Sequence, residues 1–252
     1  HLRRLGTEAD IITKIGEDEL GIEIKNTLTE ERLTTQLQVD QNYPTGRVDI
    51  TLNDGQPSYF IHEGCSWEFI AFDEIQPPDF FVFGSMALFF ENNKQSFKKY
   101  RNKFKETLFV CDLNLREPFY NKNTIDLCLN SANILKINDE ELSYLSNQYK
   151  VNEVVNWLKV EFDIHKIILT EGSKGATLFW NDQVISCPVN SVKNIKDTVG
   201  AGDSFTSLFL HGIINKLPLE LSMQRAADFA GMICQTSGAV PSEMSFYEKF
   251  KL

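Results

Sequence analysis

Residues 197–205 read Asp-Thr-Val-Gly-Ala-Gly-Asp-Ser-Phe. Gly200, Ala201 and Gly202 make a turn almost without side chains. Residues 205–214 are an apolar run that stops at Lys216-Leu217-Pro218, a helix-end pattern. The turn therefore delivers the Asp203 carboxylate to the first turn of an apolar helix. The first N–H groups of a helix have no partner within it, and aligned peptide dipoles add partial positive charge there. Small residues let a bulky anion approach, so the N–H groups of Gly200, Ala201, Gly202 and Asp203 form a candidate site for a phosphate or a developing negative charge. A carboxylate beside such a site opposes binding. It makes sense as a base that takes a proton from a nucleophile attacking the bound anion. A bare Gly-Ala-Gly reads first as a loop-to-helix turn, with Asp203 a helix-start charge. With six fixed positions, each matched about one time in fifteen to twenty, the whole string arises by chance on the order of once in ten million trials.

Upstream, residues 189–195 are β-rich. From Phe80 onward, strands at 80–83, 107–112, 134–137 and 166–170 alternate with helices around 94–103, 124–131, 140–148 and 152–162. That rhythm is the βαβ pattern of an α/β fold with a mostly parallel sheet. Ligands in such sheets bind at the carboxyl ends of the strands. Asp112-Leu113-Asn114-Leu115-Arg116, Asn138-Asp139-Glu140-Glu141 and Thr170-Glu171-Gly172-Ser173-Lys174-Gly175 all fall there, and Gly84-Ser85 follows another strand. Nearer the start, residues 9–15 read as a strand and 17–26 as a helix. Residues 36–70 differ, with short strands of alternating polarity broken by Asn42-Tyr43-Pro44 and Asn53-Asp54-Gly55. They read as an excursion from the main layer. The domain reading is thus 1–35 with 71–252 as the α/β body, and 36–70 as a β lid.

Taken together, these segments resemble the PfkB (ribokinase-like) family of sugar kinases, in its fructokinase-like branch. The 197–205 string is similar to the family's C-terminal signature. Gly16-Glu17-Asp18-Glu19-Leu20-Gly21 resembles its GDDxxG segment. Residues 112–116 match DxNxR, 138–141 match NxxE, and Gly238-Ala239 closes the pattern. Pro44-Thr45-Gly46 with Val48-Asp49-Ile50, residues 58–61 and Trp67-Glu68-Phe69-Ile70 resemble lid strands, though the branch more often has Asp where Glu68 stands. The resemblance implies a three-layer α/β/α sandwich with a small β lid. It implies ATP-dependent phosphorylation of a primary hydroxyl of a small sugar, fructose first, with 2-keto-3-deoxygluconate, ribose or a nucleoside as other acceptors. A catalytically silent sugar- or nucleotide-binding regulator is the reading from another class, and the intact Asp203 turn opposes it. The chain opens on His1 as if within a helix, where the family has a preceding strand and a GGxxxN motif; the expectation is that both lie upstream of His1.

Individual residues carry paired readings. Asn138 and Glu141, three apart, are a capping box or a water-mediated Mg²⁺ site, since that hard cation takes oxygen ligands and keeps several waters; the resemblance favours the metal. Arg116 offers a donor fork to a phosphate or a sugar hydroxyl, or a salt bridge to Glu117. Asn114 caps its loop or, with Gly84 and Thr45, lines the sugar site. The resemblance places Thr170, Gly172, Ser173 and Gly175 beside the nucleotide. It also places Ala227 there, where relatives often have a polar adenine neighbour. Asp197 and Thr198 resemble a monovalent-cation (K⁺) site, or form a strand-end turn. The implied cofactors are ATP and Mg²⁺, with K⁺. Apolar lid faces (Tyr59, Phe60, Phe69) suit a homodimer or ordinary strand packing.

Composition narrows the classes. The chain has 252 residues, 42% of them apolar, and a net charge of −10 without a basic run. A nucleic acid or an anionic membrane would repel it. Five dispersed cysteines read as reduced thiols in a cytoplasmic protein. Four scattered histidines give no zinc spacing. The longest apolar stretch, 80–90, is too short to span a bilayer, and no signal sequence is visible.

Overall fold

The structure, a computed structural model, describes residues 1–53, 56–71, 76–189 and 194–252. Its contacts divide the chain into two units, Ala9–Pro77 with Met86–Glu106, and His1–Glu8 with Pro78–Ser85 and Thr107–Leu252.

In the first unit, β1 (Thr13–Gly16) pairs in parallel with β2 (Leu37–Asp40), and helix α1 (Glu19–Glu30) connects them. β3 (Val48–Asn53) and β4 (Gln56–Ile61) form an antiparallel hairpin; its expected turn residues 54 and 55 lie outside the described residues. Helix α2 (Glu91–Lys103) completes the unit. Asp18 caps α1 by accepting the Gly21 N–H (2.8 Å). The strand expected over 9–15 begins only at Thr13. The segment around Trp67 is not a strand: Ser66–Phe69 is a 3-10 turn. Glu68 reaches back to the Cys65 N–H at 3.1 Å, which closes the turn. Asn93 of α2 then holds the turn, accepting from the Ile70 N–H (2.7 Å) and donating to the Trp67 carbonyl (2.9 Å).

The second unit contains β5 (Phe80–Phe83), β6 (Leu108–Asp112), α3 (Lys122–Ser131), β7 (Ile134–Asn138), α4 (Asp139–Tyr149), α5 (Val154–Phe162), β8 (Lys166–Thr170), β9 (Ala176–Trp180), β10 (Gln183–Cys187), α6 (Ala201–Ile214), α7 (Leu219–Ile233) and the short α8 (Ser245–Glu248). One six-stranded sheet runs β10-β9-β8-β7-β6-β5. β5 to β8 are parallel; β9 and β10 are antiparallel. The central strands are almost continuously apolar because both faces are covered. On one face Phe205, Leu208 and Phe209 of α6 and Met223 and Phe229 of α7 pack over Val110, Ile134, Ile168 and Leu178. Strand side chains alternate between faces. Cys111 accordingly turns the other way and lies against Cys128 of α3. Helices on both faces of the sheet make an α/β/α sandwich. Of the β-rich stretch 189–195, residues 190–193 lie outside the described residues, and Val189 and Ile195 are in no strand.

Candidate active site

Parallel strands β5 to β8 bring their carboxyl ends to one edge of the sheet. Gly84 follows β5 there. A Cβ on Gly84 would lie 2.7 Å from the Asp112 carbonyl, so the ends of β5 and β6 approach closely. Helix α6 starts at the same edge. Gly200 caps it in the left-handed region (φ 78°, ψ 0°), a conformation that costs other residues about 1–2 kcal/mol. A Cβ on Gly200 would also lie 2.5 Å from the Ala239 Cβ, so Gly238-Ala239 sets the space this turn occupies. The Ala201 N–H is spent on the Thr198 carbonyl (3.2 Å), which removes it from the expected anion site. No side chain caps the helix start, which leaves the Gly202 and Asp203 N–H groups as the candidates for that site. Asp203 is the third residue past the cap and exposed.

Beneath this turn sits a charge that sequence reasoning overlooked. Lys136, in the middle of β7, is 7% exposed. Its ammonium donates to both Asp112 carboxylate oxygens at 3.0 Å each. A Cβ on Gly202 would come within 2.8 Å of the Lys136 Nζ, so the cation lies directly behind the helix start. The Thr206 Oγ1 is 3.3 Å from the Asp112 Oδ2, tying α6 to the pair. Burial pushes the Asp112 carboxyl above its ordinary value; Lys136 pulls it back and the Asp203 charge pushes it up again. The signal was available: one lysine inside the run Ile-Leu-Lys-Ile must find a partner or leave the core.

Asn138 and Glu141 form the capping box of α4. The Asn138 Oδ1 accepts the Glu141 N–H (2.8 Å) and the Glu141 Oε2 accepts the Asn138 N–H (2.9 Å). The Glu141 Oε1 accepts the Leu115 N–H at 3.0 Å. Glu141 is buried, and burial raises its carboxyl above the ordinary value against those hydrogen bonds. Among the described residues no group of His, Cys, Asp and Glu is arranged to hold a metal by itself. Asn114 stands at φ 42°, and its carbonyl accepts from the Ser85 hydroxyl at 3.3 Å. Arg116 is exposed. The salt bridge to Glu117 does not form; Glu117 instead accepts from the Tyr120 hydroxyl (3.1 Å).

On the β8 side, the Thr170 hydroxyl reaches the Ile137 carbonyl (3.4 Å). The loop after it closes through the Glu171 N–H on the Gly175 carbonyl (2.8 Å). Gly172 (φ 55°) and Gly175 (φ 110°) shape this loop and Ser173 is exposed on it. Asp197 holds a turn, accepting from the Val199 N–H (2.9 Å) and the Gly238 N–H (3.3 Å), while Thr198 is exposed. Two further expected site residues are buried. Ala227 is 2% exposed inside the α6–α7 core and presents no side-chain surface to a ligand. Thr45 is buried in the other unit; its hydroxyl donates to Asp18 (2.6 Å) and accepts the Gly16 N–H (2.9 Å).

One edge of the sheet thus combines uncapped helix amides, a buried ammonium, an exposed carboxylate and an exposed guanidinium. Such a set has the chemistry required to bind a phosphate-like anion and to move a proton beside it. No helix among the described residues is long and apolar enough to cross a membrane.

Comparison with known proteins agrees with this chemistry. The profile of the pfkB family carbohydrate kinases matches residues 1–245. An uncharacterized sugar kinase from Pyrococcus horikoshii, solved in complex with ATP, is 27% identical with a TM-score of 0.78, covering 94% of this chain and 80% of that one. Fructokinase-2 of Oryza sativa subsp. japonica is 26% identical over 264 residues, 96% of this chain and 78% of the rice protein. A fructokinase from Vibrio cholerae O395, solved with fructose, ADP and calcium ion, shares the fold at a TM-score of 0.81 and 22% identity, covering 98% of this chain and 86% of that chain.

Proposed function

The chain belongs to the pfkB family of carbohydrate kinases, and from that premise we propose that it transfers the γ-phosphoryl group of ATP to a primary hydroxyl of a small sugar, with fructose the first acceptor to test. The observation that carries this reading is the exposed Asp203 at the uncapped start of α6, with Lys136 behind Gly202. In the reaction the sugar oxygen attacks phosphorus and the bond to the ADP oxygen breaks. Asp203 takes the hydroxyl proton as that oxygen becomes a nucleophile. The Gly202 and Asp203 N–H groups face the charge on the transferred group, and Lys136 adds positive potential behind them. Arg116, exposed and without an ion-pair partner among the described residues, is placed to grip a phosphate or a sugar hydroxyl.

Mg²⁺, when bound with ATP, neutralises phosphate charge. Asn138 and Glu141 suit it only through water, because each side-chain oxygen already accepts a backbone N–H. A K⁺ ion beside the Asp197 turn fits less directly, since both carboxylate oxygens hold that turn closed.

Asp203→Asn tests the reading. Loss of a general base costs about 10²- to 10⁴-fold in rate. ATP binding, measured by calorimetry, should persist while turnover collapses. Full activity in the variant rules out this role for Asp203. A set of acceptors containing fructose, ribose, 2-keto-3-deoxygluconate and a nucleoside assigns the sugar in a coupled ADP assay.

A further inference from the structure

We infer that Glu141 is a positioning residue for Arg116, acting through the backbone of the loop that carries it; this rests on the kinase reading above. Three strand ends meet at this loop. From β5, Ser85 contributes two contacts: its N–H donates to the Leu113 carbonyl (3.2 Å) and its hydroxyl to the Asn114 carbonyl (3.3 Å). From β7, the Lys136 carbonyl accepts the Leu113 N–H (3.1 Å). These contacts stop at Asn114, where the chain turns through φ 42° and leaves the sheet. Beyond that point, the Leu115 N–H is held by the Glu141 carboxylate (3.0 Å). Arg116 follows at once, and its carbonyl accepts the Phe119 N–H (2.7 Å).

Glu141 is well suited to this role. It is 6% exposed, so the bond is shielded from water. Its second oxygen is fixed by the Asn138 N–H at the end of β7 (2.9 Å). One carboxylate therefore bridges the rigid end of a central strand and the amide next to Arg116. The capping box needs only one oxygen; the other is committed to the loop.

Glu141→Gln keeps the shape but replaces one acceptor by an NH₂ group, which must face either the Leu115 or the Asn138 N–H. Glu141→Asp keeps the charge and shortens the reach by one methylene. In both full-chain variants the Leu115 amide should exchange with solvent faster by about tenfold or more in the absence of nucleotide and metal, the scale of one charge-assisted hydrogen bond. Amides of β7 away from the cap should not change. The kcat/KM for the sugar should fall about ten- to hundred-fold. In an Arg116→Ala background, Glu141→Asp should add little further loss.

Unchanged exchange at Leu115 overturns the proposal. So do losses in kcat/KM, measured at saturating Mg²⁺, from Arg116→Ala and Glu141→Asp that multiply in full. Should the glutamine variant not fold, Glu141→Asp carries the test alone. Failure of the kinase reading looks different: the wild type itself then phosphorylates no acceptor, and the proposal falls with it.

Discussion

Replacing Lys136 by methionine probes the buried charge beneath the α6 turn. Lys136 and Asp112 are 7% and 9% exposed, and the ammonium holds both carboxylate oxygens at 3.0 Å. Removing one partner of a buried pair leaves the other charge uncompensated and costs about 3–5 kcal/mol. At about 2–4 °C per kcal/mol for a domain of this size, the melting temperature should drop by about 6–20 °C. The pH dependence gives a sharper test. Without Lys136, burial and the Asp203 charge act on Asp112 with only the Thr206 hydroxyl opposing them, and its folded-state pKa rises further above the unfolded value. A group with a raised folded pKa contributes stability at low pH and loses it as pH rises through that pKa. The gap between wild type and Lys136→Met should therefore be widest above neutrality and narrow towards pH 5. Adding Asp112→Asn removes the stranded charge and should recover most of the stability. It should not recover turnover, because no cation then stands behind Gly202. The assay is calorimetric unfolding at several pH values, beside coupled kinetics. A gap independent of pH, or a double variant no more stable than the single one, would refute the buried-pair argument.

Gly200→Ala should destabilise the α6 start by about 1–2 kcal/mol from its left-handed backbone alone, and by more because its Cβ would lie 2.5 Å from that of Ala239; denaturant unfolding checks this, and an unchanged midpoint counts against the turn as described. His211 gives a second pH effect. It is 3% exposed, its Nδ1 lies 2.6 Å from the Thr7 Oγ1, and its Nε2 has no hydrogen-bond partner among the described residues. Burial, then the Arg225 charge, holds this imidazole below its ordinary value. A histidine with a depressed folded pKa keeps its contribution above the unfolded value and loses it as pH falls through about 6.5 and below. The wild type should lose stability over that interval, and His211→Gln should flatten the loss in unfolding measured from pH 8 to pH 5.

The parallel core was legible because β6, β7 and β8 are apolar runs with little else to say. The kinase family was legible because the 197–205 string and the motifs at the strand ends together resemble the family's signatures. What escaped the sequence depended on partners far along the chain. The β9–β10 hairpin turns on Asn181-Asp182, with Asn181 at φ 54°, a two-residue turn that favours asparagine. Its strands are mixed in polarity, as suits the edge of the sheet, so no clear period marks them. The Ser66–Phe69 turn reads as β from Trp and Phe alone; Asn93, some 25 residues away in sequence, decides otherwise. The resemblance sets Ala227 beside the nucleotide, and motif spacing does not show that its helix turns that residue into the core.

Charge placement explains how an acidic protein can handle a polyanion. A net charge of −10 gives no long-range attraction for ATP. The favourable charge is instead local and mostly without exposed side chains. It consists of two backbone N–H groups at the start of α6 and an ammonium buried under Gly202. In a site shielded from water, such fixed donors act more strongly than mobile surface lysines and need no rearrangement during the reaction. Asp112 has the balancing role. It fixes the position of the Lys136 ammonium within the core, and Thr206 keeps the pair in register with α6. The same arrangement leaves Asp203 exposed and free of that pairing, as a base must be if it is to reach a substrate hydroxyl. The glycines follow from this geometry. Gly202 admits Lys136, Gly200 admits Ala239, and a methyl group at either position would push the amides away from the charge that supports them.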